Sequence, residues 1–362
     1  MITPINTIEK YFNASEQTSD TLDKIVIPFR HFLIGEHCIR LQFQNNKLEK
    51  YICPALEHLE TDNILLIPDL TIYINEGLSI ADPFWSNDYI DPLSGDIKNI
   101  PDRYYFNQNT TSQTISAIDF QLKKAIYSIN SIDNLPLWDR GFPMRILLYT
   151  WFQKHDYIFI HAAGIGKNNA GVLLTGKGGS GKSTAALSCL SSNLQYAGDD
   201  YVMVDVKTCD AYSLYNTGKL EKVHARSFPH LYAFIKKSYN TNDEKSVLYV
   251  NEYNPAKIIT KFNIKAILLP THKGKRETIV CNTSKASAMK ALAPSTIWLL
   301  RTDKKMVTQI AELIRKLPCY DLETGTELEQ IPLKIETMLE ELCLSYSSRK
   351  KRDENRKPKT LA

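Results

Sequence analysis

Residues 171–190 read "GVLLTGKGGSGKSTAALSCL", and this stretch decides the fold class. Gly176, Gly181, Lys182 and Ser183 fill the pattern G-x-x-x-x-G-K-[ST], with a short apolar strand "GVLLT" leading in. Behind the loop, Ala186, Leu187, Leu190 and Leu194 recur at helical spacing. Glycines at 176, 178, 179 and 181 allow backbone N–H groups to turn inward around phosphate oxygens, with Lys177, Ser180 and Thr184 completing the loop. The helix start adds its positive dipole end. Lys182 is placed to reach the β- and γ-phosphates, and the Ser183 hydroxyl to ligate Mg²⁺. The expected cofactors are therefore ATP and Mg²⁺.

Outward from the loop, strands and helices alternate, which is the α/β signature. Upstream, "PMRILLYTWFQKHD" (143–156) has helical spacing and "YIFIH" (157–161) is a short buried strand. "AAGIGKNNAGVLLT" forms a hairpin about Lys167–Ala170. Downstream, "YVMVDV" and "AYSLY" are strands around the turn "KTCD", and "IKAILLP" and "ETIVC" are strand-like. "KKMVTQIAELIRKLP" (304–318) is an amphipathic helix with Met306, Val307, Ile310, Leu313, Ile314 and Leu317 on one face. A last helix is expected from Pro332 to Leu344.

Residues 1–135 are polar, with short apolar runs such as "KIVIPF", "CIRLQF" and "NILLIP" between turn residues. They predict a strand-rich N-terminal domain with a helix over Ile118–Ile129. The segment "ADPFWSNDYIDPLSGDIKNIPDRYY" (81–105) reads as a long packed loop or a recognition surface. Pro and Gly in "NLPLWDRGFP" mark a boundary, so a second domain spans 140–345.

Composition narrows the class. The 362 residues are 43% hydrophobic and 23% charged, ordinary for a globular chain, and no apolar run is long enough to span a membrane. The start "MITPINTIEKYFN" lacks a basic segment followed by an apolar one, so a cytoplasmic location is expected. Seven scattered cysteines without a C-x-x-C pair read as thiols of a reducing compartment. The end "SSRKKRDENRKPKTLA" holds seven Lys and Arg against two acidic residues, a balance of +5. Set against the net +4 of the chain, it leaves the body near −1, so residues 346–362 are expected to be a basic, disordered tail. A solvated end is preferred for this tail over a contact with an acidic surface or nucleic acid, nucleic acid is not the expected partner, and a homo-oligomer is left open.

Two flanking features bear on the chemistry. His161 ends the strand before the hairpin, and the pair Asp199–Asp200 opens "DDYVMVD" after the helix. Ordinary metal-binding aspartates of phosphate loops end a hydrophobic strand, whereas this pair precedes one, so Asp205, at the end of "YVMVD", is the rival Mg²⁺ ligand.

The order strand-His, hairpin, phosphate loop, helix and Asp-Asp over "FIHAAGIGKNNAGVLLTGKGGSGKSTAALSCLSSNLQYAGDDYVMVD" resembles the catalytic domain of HPr kinase/phosphorylase. "AYSLYNTGKL", "ALAPSTIWLL" and "LPCYDLETGTELEQIP" look like the HPr-kinase-related proteins, among them lasso-peptide precursor kinases. The resemblance implies a phosphoenolpyruvate carboxykinase-like α/β domain with a mixed sheet. It implies a kinase that moves the γ-phosphate of ATP to a serine hydroxyl of a peptide or protein, such as a ribosomally made precursor. It assigns Lys182 and Ser183 to phosphate and metal, His161 to the transferred group, and the Asp pair to base and metal. Asp199 as base and Asp200 as metal partner is the first assignment, with the reverse open. The family signature R-G-L-G-I-I-N-V has no counterpart; "SLYNTGKLEKVHARSFPHL" stands there, offering Lys219 and Arg226 as phosphate contacts or as plain surface charge. HPr and the reverse phosphorolysis are thus not carried over. The alternatives are a non-catalytic nucleotide-binding regulator and a kinase of a small molecule such as free serine.

Overall fold

The computed structural model describes residue 12 and residues 28–63, 65–77, 89–221, 226–236, 245–299 and 303–354. The first part forms a six-stranded sheet from β1 (Phe29–Ile34), β2 (His37–Phe43), β3 (Leu70–Glu76), β4 (Tyr104–Asn109), β5 (Thr114–Asp119) and β6 (Lys124–Ile129), in the order β1-β2-β3-β6-β5-β4. β3 runs parallel to both of its neighbours; the other pairs are antiparallel. Gly35, at φ 64°, starts the two-residue turn between β1 and β2.

The helix expected over Ile118–Ile129 is instead the β5–β6 hairpin. Asp119 Oδ1 accepts from the N–H groups of Gln121 and Leu122, and Lys123 takes a left-handed φ of 53°. An Asp closing its own backbone into a turn competes with helix formation, and here it wins. Of the segment 81–105, residues 81–88 lie outside the described residues. The rest is loop up to Arg103, pinned by bridges Ile90–Ile97 and Asp96–Asn107, and then enters β4.

The second sheet is nine-stranded and mixed. Its members are β7 (Tyr157–Ile160), β8 (Ala162–Lys167), β9 (Ala170–Thr175), β10 (Gln195–Gly198), β11 (Val202–Asp205), β12 (Asp210–Ser213), β15 (Lys261–His272), β16 (Ile279–Asn282) and β17 (Cys319–Thr324). The order is β10-β8-β9-β15-β12-β11-β7, with β17 paired to β15 and β16 to β17. β9, β15 and β17 are mutually parallel at its centre, while a separate ribbon pairs β13 (Thr217–Glu221) with β14 (Lys245–Tyr249).

From residue 28 on, the described residues form the helices α1 (Asn46–Ile52), α2 (Leu137–Gly141), α3 (Arg145–Lys154), α4 (Lys182–Ser188), α5 (Val250–Tyr253), α6 (Lys285–Leu299), α7 (Lys304–Lys316) and α8 (Gln330–Glu354). In α7, Asp303 caps the start by accepting from Met306 N–H, and Met306, Ile310, Leu313 and Ile314 are buried, whereas Val307 is exposed. Sequence periodicity missed α6, which carries Pro294 inside it. The expected last helix extends at both ends, so residues 346–354 of the expected disordered tail are helical, and 355–362 lie outside the described residues.

Strand alternation places the core. Leu173 of β9 faces a cluster shared with Leu41 and Ile72 of the first sheet and Phe152 of α3. Val172 and Leu174 face the other side, against Ala185 and Leu187 of α4 and Ile331 and Ile335 of α8. β9 is thus buried on both faces, which holds the loop after it on rigid support. The first sheet and the second share one contiguous apolar cluster across the boundary near residue 135. All seven cysteines are free thiols, and among the described residues no helix is long and apolar enough to cross a membrane.

Candidate functional site

The phosphate loop runs from the C-terminal end of β9 to α4. Gly179 and Gly181 sit at φ 76° and 99°, values that a side chain disfavours, and Gly181 is the residue before α4. Lys182 is buried and its Nζ donates to the carbonyls of Gly176 (2.9 Å) and Lys177 (3.3 Å), so its charge lies under the loop. A Cβ added at Gly178 or Gly179 would meet nothing within 4 Å, which leaves the outer face of the loop open. Ser180 N–H donates to Lys177 O, and Ser180 Oγ is buried without a partner.

The Asp pair arrives through β10. The register of β10 on β8 shifts between Tyr196 and Gly198 (φ 151°), and Asp199 and Asp200 fill the turn before β11. Asp200 has a left-handed φ of 65°, uncommon for a residue with a side chain. Its N–H donates to Asp199 Oδ1 (2.9 Å), and Tyr201 N–H donates to Asp199 O (2.8 Å). The register of β11 on β7 pairs Val202 with Ile160, so His161, one residue past β7, comes level with Tyr201.

His161 Nε2–H donates to Asp200 Oδ1 at 3.1 Å, while Lys219 of β13 donates to Asp200 Oδ2. The backbone of His161 is held in turn, its N–H donating to Thr296 Oγ1 of α6 and its carbonyl accepting from Thr175 Oγ1. Lys219 Nζ lies 4.6 Å from the centre of the Phe142 ring. The carboxylates differ sharply in environment. For Asp200, burial acts to raise the pKa, but the His161 hydrogen bond and the Lys219 charge outweigh it and hold the carboxyl well below the usual range. Asp199 is wholly buried; burial and then the Asp200 charge push it up, against the Ser183 hydroxyl, Lys219 and Lys182. Asp199 Oδ2 and His161 Nδ1 are buried without hydrogen-bond partners.

A cavity of about 980 Å³ borders the loop, lined among others by Gly179, Gly181, Thr184, Phe228, His272 and Thr326. The side chains of His161, Asp199 and Asp200 do not line it. The loop thus contributes to a roomy cavity that does not include the corner of His161, Asp199 and Asp200.

The structure thus brings His161, Lys182, Ser183, Asp199 and Asp200 to one loop, with Lys219 added. It does not bring Asp205 there. That residue ends β11 at the far end from Asp200, roughly 15 Å of extended chain away. Its Oδ1 instead accepts from the N–H groups of Lys207 and Thr208 in the β11–β12 turn. Arg226 is exposed. Sequence reasoning missed Thr296 and Thr175, which hold His161, and Arg145, whose Nη1 donates to Tyr201 OH (2.8 Å). Thr175 and Thr296 lie in the quoted stretches "GVLLT" and "ALAPSTIWLL", but only the pairing of distant strands and helices shows what they hold.

Among the described residues no three His, Cys, Asp or Glu side chains gather as a metal cage. Magnesium usually takes one or two carboxylates plus phosphate oxygens and water instead, and a buried, unpartnered Asp199 Oδ2 beside Ser183 fits that demand.

No protein-family model matches the chain, and no curated protein matches it. Among solved structures, the Hpr(Ser) kinase/phosphatase from Coxiella burnetii aligns with 52% of this chain and 98% of its own, at 15% identity and a TM-score of 0.27. At that level the likeness carries no function across, and the functional reading rests on the site itself.

Proposed function

We propose that this chain is an ATP- and Mg²⁺-dependent kinase that transfers the γ-phosphoryl group to a serine hydroxyl of a peptide or protein. The observation that carries the reading is the convergence of His161, Asp199, Asp200 and Lys219 on the Lys182–Ser183 end of one phosphate loop. An acceptor hydroxyl attacks the γ-phosphorus, the bond to the ADP oxygen breaks, and the hydroxyl proton passes to a nearby base. Such transfers proceed through a loose transition state, so the protein acts mainly by positioning and by stabilising charge.

In this reading the loop amides cradle the phosphates, and Lys182 leaves its own loop carbonyls for the β- and γ-phosphate oxygens. When bound, Mg²⁺ neutralises phosphate charge. Ser183 and one carboxylate of the Asp pair hold it, and the other carboxylate orients the acceptor. The cavity beside Thr184 takes the nucleoside, because it lies away from the carboxylates and offers Phe228 and His272 for base contact. A corner with paired carboxylates and an oriented histidine is more than a nucleotide-holding scaffold needs, which supports transfer over mere binding.

The test is incubation with γ-labelled ATP, Mg²⁺ and serine-containing peptides, especially those encoded beside this chain. Label is expected on serine, and it should be lost in Lys182→Ala and in the double variant Asp199→Asn/Asp200→Asn. Phosphate released to water at a rate indifferent to acceptor would replace the kinase by an ATPase. ATP binding without any labelled product would leave a nucleotide-binding regulator.

A further inference from the structure

Strand β16 ends the branch β15-β17-β16 of the second sheet, and among the described residues no strand pairs with its outer side. The stretch that contains it, "TIVCNTS" (278–284), holds no charged residue and no proline. Exposed sheet edges are ordinarily guarded by lysine, proline or a bulge, because open N–H and C=O groups accept another strand. Here the register with β17 runs unbroken, so none of these guards is present.

The open groups follow from that register. Thr283 N–H donates to Cys319 O (3.1 Å), and the pairing continues with Cys281 opposite Asp321 and Ile279 opposite Glu323. Bonded pairs alternate along an antiparallel ladder, so Ile279 and Cys281 turn their backbone groups toward β17. Val280 and Asn282 turn theirs outward.

Helix α8 stands beside this edge, across a groove of about 960 Å³ whose lining includes Val280, Tyr320, Leu333, Met338 and Leu342. Glu277, Glu341 and Lys334 line it as well, two acids against one base. Strand and helix are tied at one end: Thr278 N–H donates to Gln330 Oε1 (2.9 Å), and Gly325 N–H donates to Thr278 Oγ1 (3.0 Å). Gln330 and Leu333 also line the cavity beside the phosphate loop, so the groove is continuous with it. A strand edge facing a helix across an apolar groove suits an extended peptide: main-chain bonds give affinity, and alternate side chains entering the groove give specificity.

We propose that this groove docks an extended segment of the peptide or protein substrate, which adds as a strand to the outer edge of β16 and sends alternate apolar side chains into the groove. The acidic balance of the lining selects basic residues between the apolar ones. This rests on the kinase reading above and adds to it a recognition site for the acceptor. A second copy pairing through its own β16 would bring Val280 and Asn282 to the groove side, side chains too short to fill it.

The test uses fluorescein-labelled octapeptides, blocked at both ends and free of hydroxyl residues, with valine, leucine or phenylalanine at alternate positions and lysine or glutamine between. Fluorescence anisotropy follows binding to the full chain without nucleotide. At least one peptide is expected to bind, and methylating its backbone nitrogens should abolish binding. Val280→Pro removes an outward N–H, and Thr337→Arg places bulk and positive charge in the groove from α8; each should weaken binding by about tenfold, and thermal unfolding checks that each is folded. The bound octapeptide should also raise KM for a serine-containing acceptor peptide and leave kcat unchanged. No binding by any peptide, equal binding after methylation, or no effect of either variant overturns the proposal, as does binding without competition against the acceptor. A wild-type dimer in sedimentation that Val280→Pro makes monomeric gives the edge to a second copy and likewise overturns it. Each of these results leaves the kinase reading standing, whereas absence of label on every acceptor fails that reading and removes the substrate assignment with it.

Discussion

Asp139→Asn is the perturbation whose size the structure sets most directly. Asp139 lies in α2, beside a cavity of about 20 Å³ lined by Asn107, Ser112, Thr114, Tyr127 and Arg145, among others, which is room for about one water. Its Oδ2 is buried without a partner. Burial pushes the carboxyl up from 3.8 to about 6, with Arg145 and Ser112 pulling the other way. A folded-state pKa raised above the unfolded one means that the folded protein holds this proton more tightly. Stability from this group is therefore complete below about pH 4 and is lost as pH rises through about 6. A rise from 3.8 to about 6 corresponds to a total of about 3 kcal/mol, of which about 2 kcal/mol falls between pH 4 and pH 6. Asparagine mimics the protonated form at every pH. Denaturant unfolding of wild type and Asp139→Asn across this range should show the variant gaining on wild type by that amount as pH rises. Removing the negative charge beside Arg145 adds an offset at each pH, so the pH-dependent part of the difference is the quantity to read. Parallel profiles from pH 4 to pH 7 would refute the reasoning, because Asp139 would then titrate as it does in the unfolded chain.

Two further outcomes follow from the same contacts. Thr296→Val keeps the shape of the side chain but removes the oxygen that accepts from His161 N–H, leaving a buried donor unpaired; the expected loss is about 1–3 kcal/mol in thermal or denaturant unfolding, and an unchanged midpoint would show the contact to be idle. Thr326→Trp fills the cavity beside the loop without touching the charged corner, so KM for ATP should rise by about tenfold or more with kcat little changed; a fall in kcat alone would move the nucleoside elsewhere.

Much of this architecture was legible in the chain because its signals are local. The phosphate loop declares itself through glycines at positions that need left-handed backbone, and the β8–β9 hairpin through Asn168 and Asn169, which sit at φ 51° and 62°. Helix α7 follows from its spacing and its Asp303 cap. Local signals also misled. Residues 118–129 carry a plausible helical pattern, yet Asp119 turns the backbone into a hairpin, and α6 hides behind Pro294. Asp205 satisfies the usual position of a metal aspartate at a strand end, but the strand runs away from the loop, and direction is not written in a five-residue motif.

The conformation of "GKGGSGKST" and its place between a buried strand and a helix were determined by residues within one turn of each other, because backbone dihedrals and hydrogen bonds of a loop are short-range. The different surroundings of Asp199 and Asp200 were not. Both are aspartates, adjacent and buried, and nothing in their order distinguishes them. Tertiary structure separates them by delivering Lys219 from β13 and His161 from β7 to one carboxylate and leaving the other beside Ser183 with an unpaired oxygen. In a low-dielectric corner the charge nearest each carboxylate decides its chemistry, and that neighbour is set by strand register and packing across the molecule rather than by sequence distance.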